Sequence, residues 1–230
     1  MRQAALNNLL SRYLALAYVA PFAIFLLLLA VGQYLPPGPQ FWYPVRVLAA
    51  SAALILVSRH VLDFRVSRAV GSVLLGTAVF VIWVAPDLIW PGYRSHWLFQ
   101  NSLTGVAPGS IHVAALDSGW FLPFRVAGSA LLVPVIEELF WRAWLMRYAI
   151  SREFENVPLG AYSTEAFWLT AVLFASEHGP YWDVGLLAGV AYNWWMVRTR
   201  SLGDCILAHA VTNGLLAAYV LTTGRWEFWM

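Results

Sequence analysis

Runs of apolar residues close to twenty long recur along this chain, and they constrain its fold more than any other feature. A bilayer core needs about 20 apolar residues of helix. Stretches near that length fall at Leu14–Tyr34, Tyr43–Val61, Ala69–Pro86, Phe121–Arg147, Ser163–His178, Asp183–Arg198 and Leu202–Thr223. The fifth and sixth are shorter, roughly 16 residues or ~24 Å at 1.5 Å per residue. Of the 230 residues, 60% are hydrophobic and 11% charged, whereas a soluble domain has about 45–50% and about 25%. A soluble globule could not hide so much apolar surface, but lipid removes that difficulty. The expected fold is all-α, a polytopic transmembrane bundle of about seven helices making a single membrane domain over residues 1–230.

Charge is sparse and one-sided in chemistry. The formal net charge is +2, too small to imply a nucleic-acid partner. Every basic residue is Arg, and Cys205 is alone, so no intramolecular disulfide can form. The N-terminal apolar run is long enough to span, and Gln33–Pro37 offers no small-residue cleavage site, so the first helix is read as uncleaved. Arg2 and Arg12 precede it. Arg59, Arg65 and Arg68 lie after the second helix, Arg147 and Arg152 after the fourth, and Arg198 and Arg200 after the sixth. The positive-inside rule then sets the N-terminus in the cytoplasm and the C-terminus outside. Arg46, Arg125 and Arg225 blur the pattern. The longest loop, Asp87–Gly119, carries Trp90, Tyr93, Trp97, Pro91 and Pro108, with Trp120 adjoining, and reads as an aromatic belt at the headgroups. Gly185-x-x-x-Gly189 reads as an internal packing motif.

Ionisable groups inside the apolar spans carry the functional signal. A charge at the bilayer centre costs at least ~2.5 kcal/mol on insertion scales, so it faces a cavity or a partner. The fourth span holds Glu137, Glu138 and Arg142, the fifth ends on Glu177 and His178, and the seventh carries His209 and Asn213. Glu138 and Arg142 are i,i+4 and read as a structural ion pair. Glu137 is turned about 100° away, so it can face a different environment. His209 and Asn213 share one face, and Phe174 and His178 share another. Taken singly, Asn213 and Asn193 suit interhelical hydrogen bonds, Glu177 suits water, and a histidine at a helix end suits the interface. Together, a carboxylate, two imidazoles and a carboxamide suit acid–base chemistry.

The chain has no G-x-S-x-G and no H-E-x-x-H, and nothing marks Cys205 as a nucleophile. Water must then attack. A carboxylate in a low-dielectric site can take its proton, and imidazole and carboxamide N–H groups can stabilise the oxyanion. Amide hydrolysis fits this set.

Three motifs in order resemble a known family. They read Glu137-Glu138-Leu-Phe-Trp-Arg142, Phe174-Ala-Ser-Glu-His178 and His209-Ala-Val-Thr-Asn213, and they look like the CPBP family of type II CAAX prenyl endopeptidases and bacteriocin-processing relatives. Arg198-Thr-Arg-Ser-Leu resembles the turn before the family's last motif. The resemblance covers about 134–213 and implies catalytic core helices over 120–223. It implies that Glu137 and His178 activate water, that His209 and Asn213 form the oxyanion site, and that Glu138 and Arg142 brace the geometry. The implied activity is a glutamate-dependent intramembrane endopeptidase acting near the C-terminus or membrane segment of a protein or peptide substrate, membrane-anchored or lipidated. The expected location is a bacterial inner membrane. The chain is also similar to a CAAX-protease-related group that accompanies exosortase-like sorting systems. Seven spans, against eight in the better-known relatives, is a departure.

Other classes fit parts of the pattern. Intramembrane Glu and His also mark proton-coupled transporters, although no matched halves are visible. A non-catalytic membrane chaperone of the same fold is another reading. A zinc enzyme with Glu137, His178 and His209 as ligands is a third. Asn213, a poor zinc ligand but a good donor to an oxyanion, tips the expectation toward no cofactor.

Overall fold

The computed structural model describes residues 2–32, 34–36, 38–102, 104–105 and 119–229. Pro108, Gln33 and Pro37 lie outside the described residues, as do the side chains of Arg2 and Arg12. Over the described residues the fold is helical, as the apolar runs predict, with seven helices and no strand. The helices are α1 (Arg2–Gly32), α3 (Ala69–Ile89), α5 (Thr164–Ser176), α6 (Trp182–Thr199) and α7 (Leu202–Thr223), with α2 and α4 interrupted by π-helix. In α2, Pro39–Ala53 continues as the π-helical Leu54–Ser58. In α4, the α-helical pieces Phe121–Ala127, Val133–Glu138 and Met146–Tyr148 are joined by the π-helical pieces Gly128–Leu132 and Leu139–Leu145.

Several boundaries depart from the expected spans. α2 starts at Pro39 rather than Tyr43, because proline's fixed φ and missing N–H suit a first helical turn. α3 runs through Pro86 to Ile89. α5 and α6 have 13 and 18 residues rather than matched lengths. His178 leaves α5, which ends at Ser176, and enters the 3-10 turn Gly179–Tyr181.

Apolar and polar residues are arranged as lipid solvent requires. Tyr13–Gly32, Gln40–Ser58, Ala69–Ile89 and Leu202–Thr223 are long and apolar enough to cross a bilayer, and α5 is a shorter apolar helix. Leu27, Leu56, Leu74 and Val81 face outward, while Glu138, Arg142, Thr170 and Asn193 are fully buried. Glu138, Arg142 and Asn193 are hydrogen-bonded to one another inside, and the chain is an integral membrane protein.

Close packing fixes the core around α7. α3 runs alongside it at Gly76, where an added Cβ would strike the Ala208 carbonyl and come within 2.8 Å of Val211 Cβ. Thr212 Oγ1 donates to the Gly76 carbonyl at 2.9 Å. At one end of the bundle Asp204 accepts from Ser67 N, Ser67 Oγ, Arg68 N and Ser72 Oγ, capping the start of α3. Gly203 lies against the Phe64–Arg65 backbone, and Gly160 against Met196 and Arg200. The arginine-bearing links after α2, α4 and α6 therefore gather at that end. At the other end Arg94, Tyr181 and Trp182 bond to Pro180, Glu227 and Leu98. Arg46 and Arg125 share the Tyr43 ring, at 4.3 and 4.8 Å from its centroid. Of the aromatic loop residues, Trp90, Trp97 and Trp120 are exposed, as a belt requires.

Candidate active site

Helix α4 presents two adjacent glutamates to two different surroundings. Pro134 lacks an N–H and its ring crowds the carbonyl of Ala130 four residues back. The wider π turn Gly128–Leu132 relieves that conflict. Glu137 and Glu138 close the next α-helical piece, and a second π stretch starts at Leu139. Such π bulges are frequent at functional sites.

Glu138 turns into a dry network centred on Arg142. Its Oε1 lies 3.0 Å from an Arg142 terminal nitrogen and 2.8 Å from His209 Nδ1. Arg142 Nε donates to Asn193 Oδ1 at 3.0 Å, and its other terminal nitrogen to the Gly189 carbonyl at 3.4 Å. Asn193 Nδ2 donates in turn to Phe167 O at 2.8 Å. The Arg142 guanidinium also lies 4.4 Å from the Phe174 ring centroid, a cation–π contact. One arginine thus ties α4, α5 and α6 together and meets α7 through Glu138. Gly189 is tightly packed, since a Cβ there would sit 3.1 Å from the Ala171 carbonyl. Gly185 packs on His178 in the same way, so this glycine pair serves internal packing.

Glu137, one residue earlier, lines a cavity of about 160 Å³ with His178, His209 and Asn213. The residues from the three motifs are therefore brought together, from α4, the α5–α6 turn and α7. Glu137 is 8% exposed and its Oε2 has no hydrogen-bond partner among the described residues, an open acceptor of the kind that marks a reactive or ligand-binding group. His178 Nδ1 is 2.7 Å from the Phe174 carbonyl. A carbonyl only accepts, so Nδ1 carries the hydrogen and Nε2 is left as an acceptor. His209 Nδ1 meets a carboxylate instead and donates to it, so Nε2 is a donor when the ring is imidazolium with Glu138 as its counter-ion. Asn213 gives one amide hydrogen to the Ser129 carbonyl at 2.9 Å and keeps its second for a ligand.

Several residues that hold the site have no spacing signal in the sequence. Tyr192 stacks on His209 with centroids 4.9 Å apart and planes at 22°. Its hydroxyl donates to Thr212 at 2.7 Å. Arg94 is 6% exposed and pairs with Asp183 and with Asp87 at 3.2 Å. It also donates to the Pro180 carbonyl at 2.6 Å and covers the Tyr181 ring. This clamp fixes the Gly179–Tyr181 turn, which carries Tyr181 into the cavity wall beside His178. Trp83 of α3 lines the same cavity. An aromatic or arginine far away in sequence becomes readable only when the helices are packed.

Other candidates fall away from the cavity. Glu177, just past the end of α5, accepts from Trp141 Nε1 at 3.1 Å and is not among the residues lining the cavity. Cys205 is buried against the Tyr192 carbonyl. Asp204 is committed to the start of α3. Among the described residues, no three His, Cys, Asp or Glu side chains are grouped so as to hold a metal ion.

No curated protein and no solved structure matches the chain. Residues 119–215, the segment that supplies Glu137, Glu138, Arg142, His178, His209 and Asn213, match the family model described as Type II CAAX prenyl endopeptidase Rce1-like. That segment, which builds most of the cavity, is similar to the type II CAAX prenyl endopeptidases.

Proposed function

We propose that this chain is an intramembrane endopeptidase in which Glu137 and His178 activate water and His209 and Asn213 hold the oxyanion. The observation that carries the reading is the single small cavity lined by all four side chains, walled by Phe174, Trp83, Tyr181 and Tyr192. Those apolar and aromatic walls lower the local dielectric, which strengthens each electrostatic contact inside.

The chemistry balances with these groups. The water oxygen bonds to the carbonyl carbon of the peptide as Glu137 takes a water proton. The carbonyl π pair moves onto oxygen, which faces His209 Nε2–H and the second Asn213 amide hydrogen. On collapse the C–N bond breaks and Glu137 returns the proton to the leaving nitrogen. His178, neutral with Nε2 open, orients the water by accepting its other hydrogen. Glu138 and Arg142 position His209 without touching the substrate. The substrate class is a protein or peptide reaching this depth from the bilayer, at a C-terminus or in a membrane segment.

The test uses proteoliposomes of the intact chain and a pool of membrane-spanning peptides. The wild type should generate new termini and Glu137→Gln should not. Uptake of peptide or protons without cleavage would replace the protease with a carrier. The proposed route needs no metal. Active protein should contain no stoichiometric zinc and should survive prolonged chelation, while activity lost on chelation and restored by zinc alone would replace this route with a metalloprotease.

A further inference from the structure

Trp83 stands out among the cavity walls because it comes from α3, outside the segment matched by the family model. Its indole Nε1–H is buried and has no acceptor among the described residues. An indole nitrogen can only donate, and a buried donor without a partner costs stability unless something else supplies an acceptor. The ring is held firmly. Its plane stacks on Tyr181 at 8° with centroids 6.0 Å apart, and His178 meets it edge-on at 5.2 Å. Tyr181 is itself pinned by its hydroxyl bond to the Glu227 carbonyl and by the Arg94 guanidinium over its ring.

The same cavity contains the complementary orphan, Glu137 Oε2, an acceptor with no donor. Two residues that line one cavity thus carry an unmatched N–H and an unmatched carboxylate oxygen. A hydrated peptide carbonyl answers both, since its oxygen accepts while the attacking water donates.

We propose that Trp83 is a further catalytic residue, donating its indole N–H to a carbonyl oxygen of the peptide substrate. The inference rests on the protease reading above. Two carbonyls could receive the bond: the scissile one, whose oxygen becomes the oxyanion, or a neighbouring one held in the ground state. The two have the same acceptor chemistry and different kinetics. A donor to the oxyanion acts on kcat, and a donor to a ground-state carbonyl acts on KM.

The experiment replaces Trp83 in the full chain with β-(3-benzothienyl)alanine, which keeps the fused ring and puts sulfur in place of N–H, and in parallel makes Trp83→Phe. The probe is the peptide of the membrane-spanning pool that the wild type cleaves best. The ring-conserving variant should lose about 10–10³-fold in kcat/KM with thermal stability unchanged. A fall in kcat identifies the scissile carbonyl, and a rise in KM identifies its neighbour. Unchanged kcat and KM in the benzothienyl variant would overturn the proposal while leaving the protease intact. A purely structural indole would reveal itself by a lowered melting temperature in Trp83→Phe with full kcat/KM in the ring-conserving variant. A second readout is independent of turnover. With indole-¹⁵N labelling, the Trp83 N–H resonance, assigned by its loss in Trp83→Phe, should move downfield when the peptide pool is added to Glu137→Gln protein. A resonance that stays put with peptide bound overturns the proposal, and it does so even if the wild type cleaves nothing, an outcome that would sink the protease reading separately.

Discussion

Glu137 and Glu138 are neighbours on one helix, and the regions they enter differ in one respect that decides their roles. On the Glu138 side, all three Arg142 nitrogens have protein acceptors, in Asn193, Glu138 and Gly189. Glu138 Oε2 is unpartnered there as well, but Glu138 does not line the cavity. On the Glu137 side, Glu137 Oε2 and Trp83 Nε1 have no partners among the described residues, and a cavity adjoins both. The histidines follow the same division. His209 is bound to a carboxylate, and His178 only to a backbone carbonyl. Buried polar groups that are satisfied specify the packing, and those left open are available for chemistry.

Two substitutions break this comparison in opposite ways. Glu137→Gln is nearly isosteric and removes only the base, so cleavage should fall by about 10²–10⁴-fold with folded yield unchanged. Equal activity in that variant, measured as new termini per mole of folded protein, would end the assignment. Arg142→Met takes the guanidinium away from Glu138 and leaves it with His209 alone, and losing one partner of a buried pair costs about 3–5 kcal/mol. Domains have only about 5–15 kcal/mol to lose, so this variant should show a sharply lower melting temperature in detergent. A melting temperature equal to the wild type's would mean that the Arg142 region does not hold the helices together.

Much of this division was readable from sequence, because it is local. The i,i+4 spacing of Glu138 and Arg142 requires them to meet on any helix, and the one-residue offset of Glu137 requires it to point elsewhere. The seven helices were readable because apolar runs of bilayer length have few other folds open to them. The Arg94 clamp was not, since Asp183 lies 89 positions away and only the folded loop brings them together. Nor was the stack of Tyr192 on His209, or the π turns of α4, which depend on how neighbouring helices accommodate Pro134. Boundaries slipped where proline chemistry acted locally, as at Pro39. The catalytic roles still rest on the motifs and the cavity together.

Asn213 probes the open region more gently. It already donates to Ser129 O, so Asn213→Ala removes one oxyanion donor and also frees that carbonyl. Loss of a single such donor costs about 10²–10³-fold in kcat, so residual cleavage should persist above the Glu137→Gln background. If Asn213→Ala retained full kcat, the oxyanion site would have to be sought in His209 and Trp83 alone.

The smallest expected effect lies on the boundary between the two regions. Tyr192 is fully buried, stacks on His209, and donates to Thr212, which itself donates to the Gly76 carbonyl. Tyr192→Phe keeps the stacking face and deletes one hydroxyl. Thr212 loses a donor but keeps its own acceptors in Gly76 and Ala208, so no buried donor is left unmatched. The net worth of such a bond is about 1 kcal/mol, and stability should fall by roughly that amount. Cleavage should change little, because the face that fixes the His209 ring is retained. Tyr192→Leu removes that face, frees the ring to tilt, and should lower kcat more than it lowers stability. The two variants, compared by melting temperature and by kcat on one peptide, separate the hydroxyl from the ring. If Phe and Leu at this position were equally active, His209 would be oriented by Glu138 alone, and Tyr192 would belong to the packing rather than to the site.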